Sequence, residues 1–164
     1  MAEIKPGQGN AVDDTVALIC GDHGNRPDAL IEILHGIQGE QGCIPEEAVA
    51  GIADALNMSR ADVHGVITFY HDFDRQPPGR HVLKVCRAES CQATGSNALA
   101  AHAEDTLGVA FGATTSDGEF TLKAVYCLGN CALGPSVLVG ESLHTRVDAD
   151  KFDALVADLR GSAP

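Results

Sequence analysis

The sequence predicts an α/β chain in two parts: a small N-terminal helical bundle or arm, then a four-stranded sheet with helices packed on it. Three observations carry this. Between residues 12 and 76 the apolar residues recur at helical spacing, in short runs separated by caps and breakers. Pro77-Pro78-Gly79 then interrupts the pattern and the composition changes: residues 1–79 carry 4 basic and 13 acidic side chains, residues 80–164 carry 7 and 10. Beyond the break the order is strand, helix, strand, hairpin, helix.

Taken in order, residues 1–11 read as a tail and residues 12–76 as the arm. Val12, Val16, Ile19 and Cys20 lie on one helix face, which Gly21 and Gly24 stop. Pro27 suits a helix first turn, and Leu30, Ile33, Leu34 and Ile37 continue as one apolar stripe ended by Gly39 and Gly42. Pro45 is expected to start a third helix through Val49, Ile52, Ala53 and Leu56. Ser59 with Asp62 resembles a capping box, opening a fourth helix whose buried side is Val63, Val66, Ile67 and Tyr70. Such short helices do not stand alone in water, so they bundle or dock.

Residues 77–79 read as a linker and 80–164 as the second domain. His81–Cys86 is a predicted strand, Ser96–Leu107 a helix with Leu99, His102, Ala103 and Leu107 on one face, and Phe120–Tyr126 a second strand. Ser136–Val139 and Leu143–Arg146 form a predicted hairpin around Gly140-Glu141. Asp148 caps a last helix carrying Phe152, Leu155, Val156 and Leu159.

Composition narrows the function. A net charge of −12 argues against a nucleic-acid or anionic-membrane partner, both of which need a basic face. No apolar run approaches the roughly 20 residues of a membrane helix, so no direct membrane insertion is expected. MAEIKPGQGN has no apolar signal core, and a cytoplasmic location is expected. In a reducing compartment six cysteines point to metal ligation or chemistry rather than disulfides.

Four of those cysteines form two pairs. Cys86 and Cys91 enclose four residues, Cys127 and Cys131 enclose three, and thirty-five residues separate the pairs. Each pair follows a predicted strand, so parallel neighbouring strands would bring them to the same end of a sheet. Four thiolates suit zinc or an iron–sulfur cluster, and spacing alone leaves both open. A thiol-redox site lacks its C-x-x-C, and a Rieske site lacks histidines beside the loops. There is no Walker A loop and no G-x-G-x-x-G. Gly129 and Gly134 are expected to let the backbone bend round a cluster. Cys20 reads as core and Cys43 as a free thiol in a turn. His64 and His71 share a predicted helix face without a third ligand, and Lys84 and Arg87 flank the first loop as solvated surface.

The cysteine context, VLKVCRAESCQATGS and FTLKAVYCLGNCALGPSVLVG, resembles the thioredoxin-like [2Fe–2S] proteins. GCIPEEAVAGIADALNMSRADVHGVITFYHDF, from Gly42 to Phe73, is similar to the helical arm of the small [2Fe–2S] subunit of respiratory complex I and its soluble relatives. The resemblance implies a thioredoxin-like sheet holding one [2Fe–2S] cluster on Cys86, Cys91, Cys127 and Cys131. It implies a one-electron carrier with no substrate site of its own, beside a flavin- and NAD-binding subunit. The loop CRAESCQATG looks most like the gamma subunit of soluble NAD-dependent formate dehydrogenases. That host would add a large formate-oxidising subunit with a molybdenum or tungsten cofactor, FMN, NAD and further Fe–S clusters on partners. Complex I and NAD-linked hydrogenases are the alternative hosts, and a zinc-stabilised interaction module is the alternative of another class.

Overall fold

The computed structural model describes residues 11–161. The expected tail lies outside them except for Ala11, which opens the first helix. The chain divides into two compact units, one ending at Pro77 and one beginning at Pro78.

The first unit holds α1 (Ala11–Asp22), α2 (Leu30–Gln41), α3 (Ala48–Leu56) and α4 (Arg60–Phe69). Its core is the predicted apolar stripes: Ile33, Leu34, Ile37, Ile52, Leu56 and Val63 are all buried. Full burial of such a side chain stabilises by about 1.5–3 kcal/mol. Small residues let α1 approach its neighbours closely. A Cβ on Gly36 of α2 would stand 3.1 Å from Ile19, and one on Gly51 of α3 would stand 3.3 Å from Val16.

Four details of the arm differ from expectation. Gly39 does not end α2, which runs on to Gln41 and closes at Gly42 in the left-handed region (φ 77°). Glycine inside a helix costs only about 1 kcal/mol, whereas a left-handed terminus favours it strongly. Pro45 does not start α3; a tight turn with Ala48 N–H on Pro45 O (3.0 Å) precedes it. The capping box is half made: the Asp62 N–H donates to Ser59 Oγ (3.1 Å), while the short Asp62 carboxylate accepts from the same hydroxyl (2.7 Å). Finally, α4 ends at Phe69, so Tyr70 caps it in an extended conformation and is 43% exposed, and His71 lies beyond the helix. His64 and His71 therefore share no helix face.

The second unit begins tied down. The Gly79 N–H donates to Thr121 Oγ1 (2.6 Å), and a Cβ at Gly79 would meet Phe120 backbone at 2.9 Å. It contains β1 (His81–Cys86), α5 (Glu89–Ala93), α6 (Ser96–Leu107), β2 (Phe120–Val125), β3 (Ser136–Val139), β4 (Ser142–Thr145) and α7 (Ala149–Gly161). The sheet order is β2-β1-β3-β4. β1 and β2 are parallel, and the other two pairings are antiparallel. A parallel pair needs a crossover, which α5 and α6 provide. Leu83, Val85, Leu122, Val137 and Phe152 fill the core together with Phe120. Asp148 caps α7 as expected, accepting from the Lys151 N–H (2.9 Å). Two short elements are unexpected: α5, which lies inside what reads as a cysteine loop, and a 3₁₀ turn at Cys131–Leu133. Among the described residues no helix is long and apolar enough to cross a membrane.

Candidate metal centre

The parallel register of β1 and β2 explains why the cysteine pairs meet. Cys86 is in register with Val125, so Cys86 and, two residues further on, Cys127 leave the same end of the sheet. Cys91 rides on α5, and Cys131 opens a single 3₁₀ turn, Cys131–Leu133. The two loops are joined by Ser90, whose hydroxyl donates to Cys131 O (3.2 Å). Behind them Ser96, buried at the start of α6, donates its hydroxyl to Cys86 O. The Gly134–Pro135 peptide is cis.

The four thiols are not equivalent. Cys86 and Cys91 are each 2% exposed, whereas Cys127 and Cys131 lie at the surface beside Tyr126, itself 76% exposed. The Cys127 and Cys131 sulfurs are 3.7 Å apart. Two thiolates about 2.3 Å from one tetrahedral metal stand at about that separation. Cys86 and Cys91 form a second pair through a thiol–thiol hydrogen bond. Among the described residues no three His, Cys, Asp or Glu side chains gather as a single-ion site. Two sulfurs and two sulfurs is the donor layout of a two-iron cluster, each iron taking two thiolates.

Backbone N–H groups converge on the inner pair. Burial alone would push the Cys86 thiol up, but the Ala88 N–H, the Cys91 thiol and the N–H groups of Cys127 and Leu128 outweigh it and bring it below the ordinary value. Cys91 is pushed up by burial and by Cys86, although it accepts from the Ser136 N–H. Cys131 is pushed up first by its hydrogen bond with Cys127 and then by charge repulsion from Cys127. Thiolates that repel one another yet receive N–H donors suit a cation bound between them. Two residues of the second cysteine loop have positive φ, 100° at Cys127 and 82° at Gly129, and the Gly129 N–H reaches Cys127 Sγ of the outer pair (3.4 Å). Gly129 thus bends the loop as the sequence predicts. Gly134 acts differently. Its φ is −66°, open to any residue, but a Cβ there would lie 3.1 Å from Cys91 Sγ and 2.8 Å from Thr94 Oγ1. The cradle would be filled by a single methyl group.

The remaining candidates fall outside the centre. Cys20 and Cys43 are buried in the arm, and burial raises both thiols. Arg87 turns away, its guanidinium 5.2 Å above the Phe111 ring. Sequence reading passed over Ser90, Ser96, Thr94 and Ser136. Serine and threonine between a cysteine and a helix read as ordinary turn chemistry, and only Ser136, polar at the head of the apolar run SVLV, carried a visible signal.

The family model for the thioredoxin-like [2Fe–2S] ferredoxin matches residues 16–160. The chain belongs to that family. It is 40% identical over 128 residues to a subunit of the NADH-quinone oxidoreductase of Salmonella typhimurium, covering 78% of this chain and 77% of that one. It is 39% identical over 138 residues to a subunit of the NADH-quinone oxidoreductase of Rhizobium meliloti, covering 84% and 82%. Among solved structures it resembles an NAD+-reducing [NiFe]-hydrogenase in the air-oxidized state, with a TM-score of 0.69 at 23% identity. The match covers 83% of this chain but spans only 23% of the hydrogenase chain, and it bears on the fold. Family membership favours an iron–sulfur cluster over zinc, the two options that spacing left open.

Proposed function

We propose that this chain is the one-electron carrier of an NAD-linked, multi-subunit oxidoreductase, holding one [2Fe–2S] cluster on Cys86, Cys91, Cys127 and Cys131. The observation that carries the reading is the paired, N–H-lined sulfur site at one end of the sheet, in a chain of this family. When bound, such a cluster takes up and returns a single electron. The protein supplies the setting: α5 and the buried Cys86–Cys91 pair anchor one side, and the exposed Cys127–Cys131 pair leaves the other open to a partner. The chain's part is to hold and screen the cluster, without binding the substrate or NAD.

The host favoured by the relatives is an NADH-quinone oxidoreductase, in which this chain would take the place of those relatives beside a flavin- and NAD-binding subunit. This displaces the formate dehydrogenase host from first place, because the similarity to the quinone-linked relatives runs over most of the chain whereas the formate dehydrogenase resemblance rests on the Cys86 loop alone. That loop keeps formate dehydrogenase as the second reading, with its molybdenum- or tungsten-containing partner. Purification of the native complex, identification of its chains, and anaerobic reduction with NADH, formate or hydrogen test the host. Reduction by NADH with a quinone-linked set of partners is expected. Reduction by formate in a complex with a molybdenum or tungsten chain would reassign the host, and zinc without acid-labile sulfide would overturn the electron-transfer reading.

A further inference from the structure

Two buried side-chain polar atoms among the described residues have no hydrogen-bond partner: His81 Nε2 and Ser136 Oγ. His81 opens β1, at the end of the strand away from the cysteines. Ser136 is at the metal centre. It follows the cis Gly134–Pro135 peptide, its own N–H donates to Cys91 Sγ, and it is 1% exposed. The strand register gives its direction. Val85 of β1 pairs with Val137 of β3 in antiparallel register, and both face the core. One step along the same register sets Ser136 across from Cys86. Side chains alternate between faces, so Ser136 and Cys86 share the face opposite Val85 and Val137, where Cβ atoms of directly opposed residues stand about 4.5–5.5 Å apart. A buried hydroxyl left without a partner is destabilising, because its lost hydration is not replaced. Among the described residues no protein acceptor, sulfur included, takes the Ser136 hydroxyl, while the backbone N–H of the same residue already reaches Cys91 Sγ.

We propose that the Ser136 hydroxyl donates a hydrogen bond to sulfur at the Cys86–Cys91 end of the bound cluster and thereby raises its reduction potential. This rests on the reading that the four cysteines hold a [2Fe–2S] cluster. The physics is direct: one added electron increases the negative charge on sulfur, and a donor aimed at sulfur stabilises the reduced state more than the oxidised one. Ser136 is a positioning and tuning residue. Its proton stays on the hydroxyl in both states, and the electron count of the reaction is unchanged.

The test uses the full chain with its cluster, comparing the parent protein with Ser136→Ala and Ser136→Thr. Iron and sulfide content and the visible spectrum report on the cluster; the midpoint potential and the deuterium sensitivity of the Fe–S vibrational bands report on the hydroxyl. Ser136→Ala is expected to keep its iron and sulfide. At the parent midpoint its reduced-to-oxidised ratio should fall by about threefold to tenfold, where tenfold corresponds to about 59 mV for one electron. Part of the deuterium shift should disappear with it, and Ser136→Thr should keep both properties close to the parent. An intact cluster with unchanged potential and deuterium shift in Ser136→Ala would overturn the proposal while leaving the cluster reading in place. Loss of the cluster in Ser136→Ala alone, with Ser136→Thr retaining it, supports the hydroxyl; loss in both overturns it in favour of packing. A parent chain without iron and sulfide would overturn the cluster reading itself.

Discussion

Gly134 lies directly against Cys91: a Cβ built on the glycine would be 3.1 Å from the cysteine sulfur. The contact links the loop after Cys131 to the helix that carries Cys91, forty-three residues apart in the chain, and it shapes the space beside the inner thiol pair. Nothing about the backbone at 134 requires glycine, so the contact can be tested by adding one methyl group.

Gly134→Ala should therefore act through space alone. Thr94 Oγ1, the nearest atom at 2.8 Å, is itself held by hydrogen bonds to Ser90 O and Cys91 O, so it yields only at a cost. Overpacking of this kind destabilises by about 1–3 kcal/mol. We expect a lower denaturation midpoint together with reduced iron and sulfide per chain. Adding Thr94→Ala should recover part of the stability but not the seat of Cys91. Full cluster content in Gly134→Ala would show that the cradle is slack.

Ligands should separate cleanly from bystanders. Cys86→Ser, Cys91→Ser, Cys127→Ser and Cys131→Ser should each lose or strongly perturb the visible spectrum, because a serine oxygen is a poor match for the sulfur that an iron–sulfur site selects. Cys20→Ala and Cys43→Ser sit in the arm and should leave the spectrum unchanged. If Cys43→Ser bleaches the protein and Cys91→Ser does not, the ligand set is wrong.

Removal of residues 1–77 should leave a folded, red-brown domain. All four cysteines and the core around Phe120 and Phe152 belong to the unit that starts at Pro78. We infer that the arm serves to dock on the flavin-bearing partner, so the truncated chain should co-purify poorly with its complex. Normal assembly would defeat the docking role, and a colourless, unfolded fragment would show that the arm completes the second unit.

Acid should loosen the turn before β2. The Asp117 carboxylate is held below the ordinary value first by the Thr115 hydroxyl and then by the Glu119 N–H (3.0 Å). A group depressed in the folded state contributes stability that is present above its unfolded value, about 3.9, and is lost as pH falls through the lower folded value. Amide exchange at Glu119 and Phe120 should therefore accelerate, relative to the rest of the sheet, only below about pH 4. In Asp117→Asn that acid-specific change should vanish; an identical acid profile in the variant would assign it to other carboxylates.

Local signals were legible from residue order. The α1, α2 and α7 stripes, the Ser59 and Asp148 caps, and strand β1 depend on neighbours within a few positions, and their periodicity states them. The five-residue α5 was hidden because so short a helix shows no repeat. Tyr70 was misplaced because the helix pattern continues past Phe69, while the chain itself turns extended there and carries the ring outward.

The sequence by itself determined the longer helices and the strands in their order, and the four paired cysteines, all of which are properties of residue type and near-neighbour spacing. Tertiary structure decided which cysteines are buried and which exposed, that Gly134 is needed for room rather than for its φ, and that Ser136 stands across from Cys86. Those facts depend on strand register and on contacts between segments tens of residues apart. Spacing along a chain carries no record of such contacts until β1 has paired with both β2 and β3.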